Sequence, residues 1–303
     1  MGGGTFDHNA YRAYASTTRG KSTDEIYRAR EINADLNPLG VKLRESRDSV
    51  DNPRSTPLIV GIDVTGSMGI IADTLAREGL GTLFRGVLER KPISDPHVMF
   101  MAIGDAYTDR APLQVSQFEA DNRIVQQLAS IYLEHGGGSN DFESYNLPWY
   151  FAAMHTKHDS MEKRGKRGYL FTVGDEEAPK ALTKEQLKKI CGDDAQADMS
   201  SLDLLHMAQR SYDVFHIVIE QGSYASRAID RVMSSWTPLL GQRVIRLSDY
   251  TKLAETIVSA IEVAEGRDAS DSAAGWGSGS SAVLAAVKGI DRIGATRVLG
   301  GPR

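Results

Sequence analysis

The sequence predicts an α/β fold: a doubly wound, mostly parallel six-stranded sheet with helices on both faces. Three observations carry this. Five short runs are apolar almost without interruption, at Leu58–Ile62, Val98–Ile103, Tyr169–Val173, Val214–Ile219 and Val244–Leu247. Runs that do not alternate read as strands buried on both faces, the habit of parallel sheets. Longer amphipathic stretches separate them, and strands alternating with helices imply right-handed crossovers that place helices on both faces. A sixth strand is expected at an edge, within Leu113–Phe118.

Along the chain, residues 1–57 are polar and lack a strong period, so they read as an N-terminal arm that lies along something. Ser22 and Glu25 have the spacing of a capping box, which starts a short helix expected to run through Arg30. Asn37-Pro38-Leu39-Gly40 is a turn signal. Residues 58–265 form the α/β domain. After its first strand, Ile71, Leu75, Leu80, Leu83, Phe84 and Val87 recur at helical spacing over 68–90. Ile124, Val125, Leu128, Ile131 and Tyr132 do so over 120–133, and Leu253, Ile257, Ile261 and Val263 over 251–264. Trp149, Tyr150 and Phe151 are expected to pack a helix against the sheet. Residues 266–303 read as a flexible linker (266–281) and a C-terminal tail. In that tail Val283, Val287 and Ile290 share a helical face that Gly289 and Gly294 weaken, so it is expected to fray.

Composition excludes several classes. Of 303 residues, 41% are hydrophobic and 25% charged, ordinary for a soluble globular chain. No apolar run approaches the ~20 residues of a membrane span, and the opening MGGGTFDHNA has neither the basic start nor the apolar stretch of a secretory signal. Cys191 is the single cysteine, which excludes an internal disulfide and a zinc site built on cysteines, and fits a reducing cytoplasm. The formal charge of −5 argues against nucleic acid as a partner. The acidity is local: residues 1–57 carry 9 basic and 8 acidic groups, residues 266–303 carry 5 and 3, and residues 58–265 carry 21 and 29, a net of −8.

The chemistry concentrates after the first strand, in LIVGIDVTGSMG. Asp63 ends a buried strand, and Thr65 and Ser67 follow on a tight loop. In open α/β sheets ligands bind at the carboxyl ends of the strands, where the strand order reverses. A carboxylate and two hydroxyls there suit Mg²⁺ or Mn²⁺, which prefer hard oxygen donors. The plain alternative is that Asp63 and Ser67 only cap the next helix. Two more loops offer oxygen ligands: Gly174-Asp175-Glu176-Glu177 after the strand ending at Val173, and His135-Gly136-Gly137-Gly138-Ser139-Asn140-Asp141 after the helix at 120–133. Asp105, Asp109, Asp141, Glu143, Glu176 and Glu177 fall on loops at the same sheet edge and read as solvated loop charge, or alternatively as a field that concentrates cations.

These loops together resemble the von Willebrand factor A family and its metal-ion-dependent adhesion site, in the bacterial and phage cytosolic form. That family has a Rossmann-like fold, an Asp-x-Ser-x-Ser loop, a Thr in a second loop and an Asp in a third. Asp63-Val64-Thr65-Gly66-Ser67 matches the first, with Thr65 keeping the hydroxyl of the first Ser. Asp175 matches the third. Ser139 stands in the second-loop region, with Asp141 as the alternate. The resemblance covers roughly residues 57–265. It implies Mg²⁺, with Mn²⁺ or Ca²⁺ as substitutes, touched by Ser67 and by Thr65 or Ser139 and held directly or through waters by Asp63 and Asp175. It also implies an open coordination position filled by an Asp or Glu of a protein partner, and a switch that pulls a loop and shifts the last helix. No catalytic residues and no membrane are implied. Relatives in the cytoplasm often work beside an AAA+ ATPase of the MoxR type or as assembly factors.

Other motifs are weaker. Gly61 and Gly66 have P-loop spacing, but Ser67 stands where the Lys would be. Asp63-Val64-Thr65 resembles the strand end of haloacid dehalogenase phosphatases, with Thr65 in place of the second Asp, so a Mg²⁺-dependent phosphoester hydrolase using Asp63 is the alternative function. His155 and His158 have metal-ligand spacing but read as surface histidines.

Overall fold

The computed structural model describes residues 4–18, 20–133 and 143–293. Its centre is a six-stranded sheet of β1 (Thr56–Asp63), β2 (Pro96–Ile103), β3 (Leu113–Val115), β4 (Gly168–Gly174), β5 (Tyr212–Ile219) and β6 (Val244–Leu247). In space the order is β6-β5-β4-β1-β2-β3. All neighbours are parallel except β3, which pairs antiparallel with β2 through Met101–Val115 and Ile103–Leu113. Every residue of β1, β2, β4 and β5 is buried, which is why their sequences run apolar without alternation. The edge strand β6 alternates instead, with Ile245 and Leu247 inside and Arg246 exposed.

The side chains still obey the pleat. Leu58, Val60 and Ile62 enter one core cluster and Ile59 the other. The first cluster is covered by α2 (Leu80–Arg90), α3 (Arg123–Ala129) and α8 (Leu253–Ala264), and the second by α4 (Leu147–His155), α5 (Lys184–Cys191), α6 (Ser201–Ala208) and α7 (Ala225–Leu240). Trp149, Tyr150 and Phe151 are buried against the sheet as expected. The helix expected over 68–90 is broken into a 3₁₀ turn at Gly66–Met68, a helix at Gly69–Thr74, a π-turn at Leu75–Gly79 and α2. The helix expected over 120–133 is shortened to α3, because Asp121 and Asn122 form its entry turn.

The arm lies on its own domain. Its first helix, α1 (His8–Thr18), follows Phe6, whose ring stacks on Phe84 of α2 at 4.2 Å between centroids. Tyr11 packs against Gly81, Tyr27 Oη donates to the carbonyl of Ala72, and Arg77 donates to the carbonyls of Thr18 and Lys21. The Ser22–Glu25 capping box forms, but its helix ends at Ile26 and not Arg30.

Residues 266–281 are folded and not a linker, and so is the described part of the segment after them, to residue 293; the rest of the expected tail lies outside the described residues. Ala269–Ala274 is helical, Gly277–Gly279 is a 3₁₀ turn, and α9 (Ser280–Val287) buries Val283 and Val287. The small residues that signalled flexibility serve close approach. A Cβ at Gly275 would press on the Arg90 guanidinium, and one at Gly279 on the Lys252 side chain. Arg90 donates to both carboxylate oxygens of Glu262 and to the carbonyl of Ser272, and Trp276 Nε1 donates to Ser259 Oγ at 2.7 Å. Ile290 is also buried, but it lies three residues beyond the end of α9 and not on its face.

Candidate metal centre

The chain leaves β1 and builds outward through β2 and β3, then returns to the other side of β1 for β4, β5 and β6. The strand order therefore reverses between β1 and β4, and the carboxyl ends of these two neighbours open a crevice. Asp63 is the last residue of β1, and Asp175 follows the last residue of β4.

Asp63 is 1% exposed. Its Oδ1 accepts from Thr65 N at 2.9 Å and from Thr65 Oγ1 at 2.7 Å, a closed Asx turn that fixes the loop. The Thr65 hydroxyl spends its proton on Asp63, so its lone pairs stay available to a cation. The turn needs Gly66, whose φ of +42° lies in the left-handed region. Ser67 lies in the 3₁₀ turn that follows. Asp63 Oδ2 accepts from Tyr145 Oη at 2.9 Å. Gly174 makes that bond possible, because a Cβ there would occupy the Tyr145 ring. Asp175 is 3% exposed, and its Oδ2 accepts from Tyr224 N at 2.8 Å. Gly222 packs against the Asp175 side chain where a Cβ would collide.

The electrostatics of the crevice are one-sided. Burial pushes the Asp63 carboxyl well above the usual carboxylate range, and the charge of Asp175 adds to this against the Thr65 hydrogen bonds. Asp175 is raised by its own burial. Glu143 is raised furthest, by burial and then by the charges of Asp63, Glu176, Asp109 and Asp105. Among the described residues its buried Oε2 has no hydrogen-bond partner. A buried carboxylate oxygen with no donor, among other carboxylates, is a costly arrangement unless a cation compensates it. The donor set is all oxygen, from carboxylates and a hydroxyl, and fits a hard divalent ion.

The structure thus brings Asp63, Thr65 and Asp175 to one crevice and adds Glu143. Ser139 and Asp141 lie outside the described residues. The acids read as solvated loop charge are corrected: Asp105, Asp109 and Glu143 are 0%, 8% and 3% exposed. Asp105 and Asp109 are consumed in their own turn, where Tyr107 N and Thr108 Oγ1 donate to Asp105, and Asp105 N donates to Asp109. Glu177 accepts from Tyr224 Oη and pairs with Arg231. Sequence reasoning gave no role to Tyr145. The signal available was a polar-aromatic stretch, Glu143-Ser144-Tyr145-Asn146, directly before a helix with no polar face. The surface reading of His155 and His158 is also corrected, since they are 7% and 2% exposed. His158 Nδ1 accepts from Met161 N at a helix start and its Nε2 faces the Ser211 carbonyl, so the two rings do not share a ligand.

A six-stranded sheet with a short antiparallel third strand at its edge, and an Asp-x-Thr-Gly-Ser loop at the point where strand order reverses, decides the architecture. The fold is von Willebrand A-like. No protein-family model matches the sequence, and no curated protein matches it. Among solved structures the chain is similar to the pilus adhesin SpaC from Lactobacillus rhamnosus GG in its open conformation, at 10% identity and a TM-score of 0.45, covering 72% of this chain and 31% of that one. A second structure of the same adhesin gives 12% identity and a TM-score of 0.43 over the same shares. A von Willebrand factor type A protein from Catenulispora acidiphila gives 15% identity and a TM-score of 0.38, covering 69% of this chain and 42% of that one. The chain therefore spans less than half the length of these proteins. Strand order, and not these neighbours, carries the von Willebrand A-like assignment.

Proposed function

We propose that the chain is a Mg²⁺-dependent protein-binding module, in which a partner's Asp or Glu completes the coordination of an ion held at the β1–β4 crevice. The observation that carries the proposal is the buried oxygen cluster of Asp63, Thr65, Asp175 and Glu143, with Glu143 Oε2 lacking a donor among the described residues. In this reading Ser67, with Ser139 or Asp141, would complete the set. Mn²⁺ or Ca²⁺ would substitute. When bound, the ion supplies an electrophilic centre for an incoming carboxylate. This chain's residues hold it in place: Thr65 and Tyr145 fix the orientation of Asp63, and the Tyr224 N–H fixes Asp175.

The reading is non-enzymatic. Both oxygens of Asp63 are engaged, Oδ1 by Thr65 and Oδ2 by Tyr145, which suits a fixed ligand better than a nucleophile that must turn toward phosphorus. We place the protein in the cytoplasm, as a subunit or adaptor of a larger assembly, such as a MoxR-type AAA+ ATPase system or a phage or bacterial complex. No described helix is long and apolar enough to cross a membrane.

Titration calorimetry with Mg²⁺ and Mn²⁺ on the wild type and Asp63→Ala tests the metal. Binding that disappears in the variant is the expected result, and no binding to the wild type sinks the proposal. Capture of a partner that is unaffected by EDTA and by Ser67→Ala would show that the ion does not mediate contact. Turnover of a generic phosphoester, lost in Asp63→Ala, would replace the proposal with the hydrolase.

A further inference from the structure

A second group of donors lies at the other end of α4, about 12 Å along the helix from its start beside Tyr145. His155 ends α4, Cys191 ends α5, and Asp193 follows two residues later. One ligand atom from each lies within 4.8 Å of the others. His155 Nε2 is 2.6 Å from Asp193 Oδ2, and its Nδ1 faces the Lys42 carbonyl at 3.4 Å. The ring therefore stands between two acceptors. With its proton on Nε2 a neutral imidazole donates to Asp193, and with its proton on Nδ1 the Nε2 lone pair beside Asp193 calls for a second proton or a cation. A proton on Nδ1, aimed at the Lys42 carbonyl, is the outer contact that fixes a metal-binding tautomer and leaves the Nε2 lone pair toward Asp193 and Cys191.

The surroundings hold this geometry. The His155 ring stacks on Phe151 at 5.1 Å, and Tyr150 Oη donates to Asp193 Oδ2 at 2.6 Å. Cys191 is 3% exposed, and the Asp193 side chain is 29% exposed. Asp193 also borders a cavity of about 600 Å³ that Met154, Met199 and Met207 line, which gives an ion a route in. A single cysteine excludes a zinc site built on cysteines, but not one that takes one thiolate.

We propose that His155, Cys191 and Asp193 form a second metal site, for Zn²⁺ or a similar borderline transition ion, with the cavity supplying water or a partner's donor in the fourth position. Thiolate, imidazole and carboxylate in a three-ligand set with an open position suit Zn²⁺, whereas the all-oxygen crevice suits Mg²⁺, so the two sites differ in ligand chemistry. Binding would fasten residues 192–198 to α4.

Cobalt(II) titration of the full chain tests this, because a Co²⁺–thiolate bond gives a charge-transfer band and a tetrahedral site gives intense visible bands. One equivalent of Co²⁺, displaced by Zn²⁺, is expected. Cys191→Ser should abolish the charge-transfer band. Asp193→Asn, at a partly exposed position, should weaken binding at least tenfold with an unchanged circular dichroism spectrum. Asp63→Ala should leave the bands intact, so the fate of the Mg²⁺ crevice does not decide this result. Absence of the charge-transfer band in the wild type, its survival in Cys191→Ser, or undiminished affinity in Asp193→Asn overturns the site.

Discussion

The phenol of Tyr145 donates to Asp63 Oδ2 at 2.9 Å, joining residues 82 positions apart inside the crevice. Both are fully enclosed, at 0% and 1% exposure. Tyr145→Phe removes the donor and keeps the ring. It should cost about 1–3 kcal/mol of stability, the range for a buried polar group that loses its partner. Mg²⁺ affinity should fall at least tenfold as Asp63 loses its anchor. Urea unfolding and calorimetry read the two effects. Gly174→Ala, which forces the same ring away, should lower both quantities in the same direction, and an unchanged Mg²⁺ affinity in both variants would remove Tyr145 from the site.

Arg90 and Glu262 form a two-pronged ion pair, at 2.9 and 2.6 Å, with side chains 14% and 3% exposed. Arg90→Ala leaves the Glu262 carboxylate buried with Arg267, 45% exposed, as its one cationic partner among the described residues, and should cost about 3–5 kcal/mol. The same change frees the Ser272 carbonyl, so limited proteolysis should open the chain first within residues 266–281. Cleavage there at the wild-type rate would show that Arg90 does not hold the segment.

Phe6 is 6% exposed, and its ring lies nearly parallel to Phe84, with 7° between the planes. Phe6→Ala should cost about 3 kcal/mol, at the low end for a buried Phe because the chain near the arm can close over the gap. Differential scanning calorimetry measures the loss, and faster protease cleavage within residues 8–18 should accompany it.

Asp48 gives the arm a dependence on pH. The Arg164 guanidinium bonds both its oxygens, and Ser55 donates to it, so its carboxyl is held well below the usual carboxylate range. A depressed acid binds fewer protons when folded than when unfolded. Its stabilisation is present above the unfolded value of about 3.9 and is lost as pH falls below it. Urea midpoints should therefore decline on acidification from pH 5 to pH 3, and Asp48→Asn should flatten that decline while lowering stability at pH 7.

The sheet was legible because burial on both faces leaves a direct mark: β1, β2, β4 and β5 tolerate few polar residues, so each run announces itself. Asp63 and Asp175 were legible because they break such runs at strand ends. Glu143 and Tyr145 were not, since Tyr145 reaches β1 across the crevice and Glu143 feels the charge of Asp63 there, and no local period encodes either relation. The C-terminal segment misled for a physical reason. Gly275, Gly279 and Ser272 have the composition of a linker, yet each is small so that an Arg, a Lys or a carboxylate can approach. Small residues mean freedom or intimacy, and only the neighbour decides which.

The C-terminal helices also change what α8 can do. Trp276 grips it at Ser259, Arg90 and Ser272 hold Glu262, and Ile293 N donates to the carbonyl of Ala264, its last residue. In mechanical terms α8 is a piston with a load bolted to its rod. A stroke of that helix must either carry residues 269–293 as ballast or shear them off. The fastenings of α8 therefore come from a segment that lies beyond residues 58–265.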